Sequence, residues 1–306
     1  MAACTLLGPQ RHVPIVAETL RTLGLDGWVA TVTAGWEERE VEDDELRAHL
    51  SGRSFNLQLW ERCEKAFASD PPLHAAMRKR YEKLGRLQEL YRIELSHALA
   101  ACRELERRTE PADLLDPERE SAMDVVRRID EHHLDRVAEI QAEFDESFAP
   151  RERPSIERHR REIERQLDDA EVLAIAGGHV AVLVNRLRLF GLLELAERLP
   201  IIAWSAGAMA MCERIVLFHD TPPQGAGNAE LLDRGFSACR GIVALPHAKR
   251  RLVLDDAVKV SLFARRFAPL RCIPMNDGAS LVSDGESVVF APGMLALGAD
   301  GTLEDA

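Results

Sequence analysis

The strongest constraint on the fold is a change of pattern that occurs twice along the chain. Residues 3–36 hold two short apolar runs on either side of a helix-like stretch, each punctuated by Gly or Pro, which indicates a β-α-β unit. The following residues, to about 169, are rich in Glu, Arg, Leu and Ala, as helices are. Short apolar runs separated by turns then return. We therefore predict a discontinuous α/β core, residues 1–40 and 169–306, with a helical insertion over residues 41–168.

An apolar stripe supports the helical prediction for the insertion. Nine residues from Met77 to Leu105 advance 28 positions in eight steps, a mean of 3.5, which predicts a long helix with a coiled-coil-like seam. Further helices are predicted from Pro117 to Phe148 and from Ser155 to Leu167, the last with Ser155 as its N-cap. A stripe about 43 Å long is too long to be buried by a compact core alone. We expect it to pack against the second helix and to complete a homodimer.

The composition excludes several classes of function. The net charge of −12, from 39 basic and 51 acidic residues, disfavours binding to nucleic acid or to anionic lipid. The longest uncharged runs have 14 residues, fewer than the roughly 20 that span a membrane. The amino terminus reads as a first strand and not as a secretory signal, and the six cysteines form no C-x-x-C pair. These observations predict a cytoplasmic protein with reduced thiols that binds neither nucleic acid nor membrane.

The most informative string is IIAWSAGAMAM, residues 201–211. A strand-like run leads to Ser205, and a turn of small residues then leads to a helix-like stretch, which is the pattern of a nucleophile elbow. A serine nucleophile needs a base, and the base needs an orienting carboxylate. His247 and Asp220 each follow an apolar run and are the candidates for these two roles.

Four further motifs accompany the elbow in a fixed order. They are AGG (Gly177, Gly178), D-x-P (Asp220 to Pro222), PH (Pro246, His247) and NDGASLV (Asn276 to Val282). With these motifs, the segment from Ala174 to Val282 resembles the serine peptidase family of dipeptidase E and cyanophycinase. The resemblance implies an α/β fold with a flavodoxin-like parallel sheet, as in class I glutamine amidotransferases.

The resemblance also implies the roles of individual residues. Ser205 would be the nucleophile, His247 the base and Asp220 the orienting acid, with the backbone N–H groups of Gly178 and Ala206 as the oxyanion hole. The implied activity is hydrolysis of small peptides through an acyl-enzyme, without a metal or other cofactor. An amidotransferase is disfavoured because the elbow holds serine where those enzymes have cysteine. The alternative is a catalytically silent protein that binds a partner through its helical insertion.

Three features differ from the family's usual pattern, among them Ala203 where Gly is usual before the elbow, and two assignments stay open. His179 follows the glycine pair where the family usually has Asn, and the insertion of about 130 residues is much longer than usual. Glu213 or Asp277 could orient the histidine in place of Asp220. A metal site is a further possibility, because two acid–histidine pairs occur at helical i, i+3 spacing. These are Glu94 with His97 and Asp130 with His133.

Overall fold

The computed structural model describes residues 3–220 and 227–306. Thirteen strands and eleven α-helices lie in these two ranges. The strands are β1 (Cys4–Leu7), β2 (Trp28–Val32), β3 (Ser54–Asn56), β4 (Ala170–Ile175), β5 (Ile201–Trp204), β6 (Arg214–Leu217), β7 (Glu230–Arg234), β8 (Ile242–Pro246), β9 (Arg271–Met275), β10 (Ser280–Ser283), β11 (Val288–Phe290), β12 (Leu295–Leu297) and β13 (Leu303–Asp305). The helices are α1 (Val16–Thr22), α2 (Asp44–His49), α3 (Leu59–Ser69), α4 (Pro71–Glu106), α5 (Ala112–Phe148), α6 (Pro154–Asp168), α7 (Val180–Phe190), α8 (Leu192–Leu195), α9 (Ala206–Met211), α10 (Ala248–Arg251) and α11 (Ala257–Phe267).

Seven strands form the central sheet, in the order β11-β10-β1-β5-β4-β2-β3. The five strands from β1 to β3 in this order pair in parallel, and β10 and β11 pair antiparallel. The other strands pair as a β6–β7 hairpin, a parallel β8–β9 pair and a β12–β13 hairpin. The predicted fold class, an α/β protein with a mainly parallel central sheet, is confirmed.

Both faces of the central sheet are buried, as a parallel sheet requires. Along β4, Val172 and Ala174 join an apolar cluster with α1, whereas Leu173 and Ile175 join a larger cluster on the opposite face with α7 and α9. The alternation follows from the two-residue period of a strand. The loops at the carboxyl ends of β1, β2, β4 and β5 therefore meet at one edge of the sheet, where ligands bind in open α/β folds.

The two longest helices form a hairpin within the insertion. Helices α4 and α5 pack along each other, and the predicted stripe lies on the packed side, with Met77, Tyr91, Leu95 and Cys102 buried. The hairpin also contacts the core, since Arg92 of α4 forms a 2.8 Å ion pair with Glu230 of β7. The helical prediction for residues 77–105 is confirmed. The division into core and insertion remains a prediction, and β3 shows that the range 41–168 contributes a strand to the central sheet.

Several element boundaries differ from the sequence-based predictions. Ser155 is not the N-cap of α6, because that helix begins one residue earlier, at Pro154, with Arg153 as its N-cap; proline favours the first helical position. Helices α7 and α8 are separate, because Gly191 adopts a left-handed conformation that ends α7.

The structure also bears on the predictions about membranes and thiols. Within residues 3–220 and 227–306, no helix is both long enough and apolar enough to span a bilayer. The six cysteines all lie in these ranges, and each is buried and free of disulfide bonds. Burial raises the pKa of their thiols, that of Cys239 to about 11, so these cysteines are poor nucleophiles at neutral pH.

Candidate active site

The structure forms a sharp turn at Ser205, between β5 and α9. Ser205 has φ 52° and ψ −120°, a conformation that L-amino acids rarely adopt. The side chain is partly exposed, whereas every residue of β5 and α9 around it is buried. The turn therefore presents the hydroxyl at the carboxyl edge of the sheet, as the elbow motif predicts.

Two glycines permit the backbone to come this close. A Cβ atom at Gly177 would lie 2.6 Å from Ser205 Cβ, and a Cβ atom at Gly207 would meet the carbonyl oxygens of Ile175 and Ala176. Any side chain at either position would thus push the β4 loop away from the elbow. The small residues of the AGG and WSAGA motifs are explained by these contacts.

The backbone N–H groups predicted to form the oxyanion hole belong to Gly178 and Ala206, the residues that follow Gly177 and Ser205 at their point of contact. The backbone nitrogen of Ala206 is 3.3 Å from the Cβ position of Gly177, and Gly178 has φ 112°, which a residue with a side chain would adopt only with strain. In the described ranges, the N–H groups of Gly178 and Ala206 donate to no protein acceptor. Two free donors next to a serine hydroxyl are what a developing oxyanion needs. Their assignment as the oxyanion hole remains a prediction.

His247 follows β8 and lies near the same edge. Its N–H donates to the Met275 carbonyl at 3.0 Å, and the loop after β9 continues to Asn276, whose carbonyl packs against Gly8 at the end of β1. Since β1 pairs with β5, these contacts bring the histidine loop towards the elbow. Within the described residues, no hydrogen bond joins His247 to Ser205. Such bonds are often long in enzymes without substrate.

The environment of His247 keeps its imidazole neutral. Burial lowers the pKa of His247, and the nearby Arg251 and Arg250 lower it further, whereas Asp277 acts in the opposite direction. A neutral imidazole is the form that accepts a proton from a serine hydroxyl.

Asp220, the predicted acid, lies in the loop after β6. Its carboxylate accepts a 2.7 Å hydrogen bond from the Val253 N–H and lies 3.7 Å from the Lys259 ammonium. Its own N–H donates to the Arg251 carbonyl at 2.7 Å. These bonds attach the Asp220 loop to the segment that follows His247, but no hydrogen bond between Asp220 and His247 occurs in the described residues. Thr221 and Pro222 of the D-x-P motif lie outside those residues.

The two alternative acids occupy different positions. The Glu213 carboxylate accepts a 2.8 Å hydrogen bond from the Gly241 N–H, which precedes β8, while His247 follows that strand. Five strand residues put about 16 Å between these ends, so the structure argues against Glu213. Asp277 is exposed in the loop after β9 and acts on His247 electrostatically, so it stays a candidate beside Asp220.

The four residues of the possible metal site do not come together as ligands. Glu94 and His97 are exposed, whereas Asp130 is fully buried and accepts two 2.7 Å hydrogen bonds from the Arg266 guanidinium. His133 is buried and stacks on Tyr91, with ring centroids 4.0 Å apart. Asp130 is thus occupied by an ion pair, which the sequence spacing alone does not reveal.

Two further residues near this edge were not identified from the sequence. Glu37, in the loop after β2, has φ 59° and ψ −128°, nearly the conformation of Ser205, and lies two residues after Gly35, which packs against Gly178. Arg251 is near His247. The basic string AKRR after the PH pair is the one sequence signal for Arg251.

His179, the residue after the glycine pair, is exposed. It caps α7, since its Nδ1 accepts a hydrogen bond from the Val182 N–H.

A family model matches the part of the chain that contains the candidate site. The model of peptidase family S51 matches residues 131–249, a range that includes Ser205, Asp220 and His247. This segment of the chain is therefore similar to the peptidase S51 family. The match supports the resemblance to the dipeptidase E family and a serine-type peptidase activity.

Two solved structures are similar to this chain. No curated protein matches the sequence. A peptidase from an acI-B1 Actinobacterium is 13% identical, with a TM-score of 0.48, over 98% of this chain and 91% of that one. A putative peptidase E protein from Listeria monocytogenes EGD-e is also 13% identical, with a TM-score of 0.44, over 95% and 98% of the two chains.

Proposed function

We propose that this protein hydrolyses short peptides with Ser205 as the nucleophile, His247 as the base and Asp220 as the acid that orients the base. The observation that carries the proposal is the strained Ser205 turn, held against Gly177 beside the unpaired N–H groups of Gly178 and Ala206. Strain at a turn that exposes a hydroxyl is typical of a nucleophile.

The proposed reaction has two stages. His247 accepts the hydroxyl proton as Ser205 Oγ attacks the peptide carbonyl, and the N–H groups of Gly178 and Ala206 bind the oxyanion. His247 then gives the proton to the leaving amine, the C–N bond breaks and an acyl-enzyme remains. Water, activated by His247, releases the acid product and restores Ser205.

The helical insertion contacts the part of the chain next to the proposed site, which bears on the size of the substrate. Arg92 and Arg103 of α4 bind Glu230 and Asn228 near the β6–β7 hairpin, and the loop of this hairpin carries Asp220. We propose that the insertion supports this side of the site and restricts access to short peptides. A homodimer through the insertion and a cytoplasmic location are further parts of the proposal.

The experiment is a hydrolysis assay on a library of dipeptides, with products detected by mass spectrometry. The wild type and Ser96→Ala, an exposed control on α4, are expected to release amino acids at equal rates. Ser205→Ala is expected to release none above background. Hydrolysis by Ser205→Ala at the wild-type rate would exclude the proposal. A wild type that cleaves no peptide would favour the silent, partner-binding alternative.

Activity is expected to survive removal of divalent metal ions. The proposed mechanism uses a protein nucleophile and backbone donors, and Asp130 is held by Arg266, so EDTA should change kcat/KM by less than about twofold. The measurement is hydrolysis of the same peptides before and after dialysis against EDTA. Loss of activity that Zn²⁺ or Mn²⁺ restores would contradict this mechanism.

The pH dependence should report the environment of His247. Its pKa is lowered from the ordinary value of 6.5, so the imidazole stays neutral at a lower pH, and the acid limb of kcat/KM should have its midpoint below 6.5. Asp277→Asn should move the midpoint further down, because Asp277 raises this pKa, whereas removing the Arg251 charge should move it up. A midpoint above 6.5, or shifts of the opposite sign, would refute this account of His247.

A further inference from the structure

Arg251 occupies a distinctive position at the end of α10. Its N–H donates to the His247 carbonyl at 3.2 Å, and its own carbonyl accepts a 2.7 Å hydrogen bond from the Asp220 N–H. The residue therefore connects the loops of the proposed base and the proposed acid. Its side chain points towards Phe218, with the guanidinium carbon 5.9 Å from the ring centroid.

The guanidinium of Arg251 has no carboxylate partner. It is partly buried, and no ion pair involves it in the described residues. The remaining residues of the chain, MA at the start and TPPQGA at 221–226, contain no acid that could pair with it. A charge removed from water without a counter-charge is unfavourable, and burial lowers the pKa of Arg251 accordingly.

The neighbouring residues make the same helix cationic. Lys249 and Arg250 are exposed, and neither forms an ion pair within the ranges that the structure covers. Three consecutive cationic residues without ion-pair partners therefore follow His247, the proposed base. The net charge of the whole chain, by contrast, is −12. A local positive field in an acidic protein favours an anionic ligand at this point.

The chemistry of the proposed reaction identifies the anion. His247 protonates the leaving amine, so that nitrogen must come within hydrogen-bond distance of the imidazole. When the leaving group is the last residue of a peptide, its α-carboxylate is attached to the adjacent Cα atom. A cation beside the base is therefore placed to meet that carboxylate, and the planar guanidinium suits its two oxygens.

We infer that Arg251 binds the free α-carboxylate of the leaving residue and so selects peptides in which the scissile bond precedes the last residue. The inference rests on the proposed function, since it assumes that His247 protonates the leaving amine. It makes Arg251 a specificity-determining residue and explains its unpaired charge. An amide or an added residue at the carboxyl terminus would lose this contact.

The test compares two peptide libraries, Xaa-Phe and Xaa-Phe-amide, in which Xaa is varied over the common amino acids. The wild type is expected to favour the free acid by roughly 100-fold in kcat/KM. At a pH above the acid limb of His247, where the shift in its pKa has no effect on the rate, Arg251→Met should lower kcat/KM for the acids by about that factor and leave the amides within about threefold, so that the preference disappears. Arg251→Lys should keep part of it. Arg128→Met, an exposed arginine on α5, is the control and should retain the wild-type preference.

The outcomes separate this inference from the proposed function. If the wild type cleaves both libraries equally, or if Arg251→Met keeps the preference, Arg251 does not bind the carboxylate, while the serine mechanism stands. If the wild type cleaves neither library, the proposed function fails and the inference fails with it. The amide activity of Arg251→Met shows in the same assay that this variant is folded.

Discussion

Replacing Ser205 with alanine is expected to lower kcat for peptide hydrolysis by at least about 10⁴-fold. His247→Ala should cause a loss of similar size, because the base is useful only with the nucleophile that it activates. The double variant should be no worse than either single variant, since residues that act as one unit are not additive. The measurement is single-turnover hydrolysis of the best dipeptide by the three variants. Independent, multiplicative losses would contradict a shared proton transfer between Ser205 and His247.

The same assay assigns the acid. Asp220→Asn is expected to cost less than His247→Ala, because an amide at this position removes charge but keeps much of the geometry. Glu213→Gln should have little effect on kcat, since Glu213 binds Gly241 at the opposite end of β8. If Asp277→Asn is the most damaging of the three, Asp277 and not Asp220 orients His247.

Replacing Asp130 with asparagine is expected to lower the free energy of unfolding by about 3–5 kcal/mol. The side chains of Asp130, Arg266 and Tyr91 are all buried, and the Arg266 guanidinium binds both the carboxylate and the Tyr91 hydroxyl. Without the carboxylate, a buried cation remains uncompensated. Because Asp130 is on α5, Tyr91 on α4 and Arg266 on α11, the loss should loosen the insertion from the core. Urea unfolding followed by circular dichroism measures the change.

Two variants control this stability prediction. Asp124→Asn removes an ion pair with Arg127 on the same helix, but Asp124 is about half exposed, so we expect a change below about 0.5 kcal/mol. Replacing both members of the buried pair, as in Asp130→Leu with Arg266→Met, should recover much of the loss, because no charge is then left unpaired. Equal effects of Asp130→Asn and Asp124→Asn would show that the buried pair does not hold the insertion in place.

The sequence predicts the local elements of this fold better than its long-range contacts. The elbow at Ser205 and the helix around Tyr91 were predictable because small residues at a turn and a 3.5-residue period are properties of a short window. The three-residue strand β3 was missed because SFN is too short to show an alternation. Its pairing with β2 depends on the rest of the sheet.

The questions that the sequence leaves open at the candidate sites have the same origin. The spacing of Asp130 and His133 suggested metal ligands, but the partner that decides the role of Asp130 is Arg266, 136 positions away. Similarly, the AKRR string shows three cations but not that Arg251 lies against Phe218 without a carboxylate. Local patterns identify which residues carry chemistry, whereas burial and distant partners determine whether that chemistry is available.

The most direct test of the central claim is the site of reaction with a fluorophosphonate. An activated serine forms a stable phosphonyl ester, and peptide mapping by mass spectrometry identifies the modified residue. The account predicts one adduct, on Ser205, that is lost in Ser205→Ala and strongly slowed in His247→Ala. An unmodified Ser205 in the folded wild-type protein, or an adduct on a different serine that persists in Ser205→Ala, would contradict it.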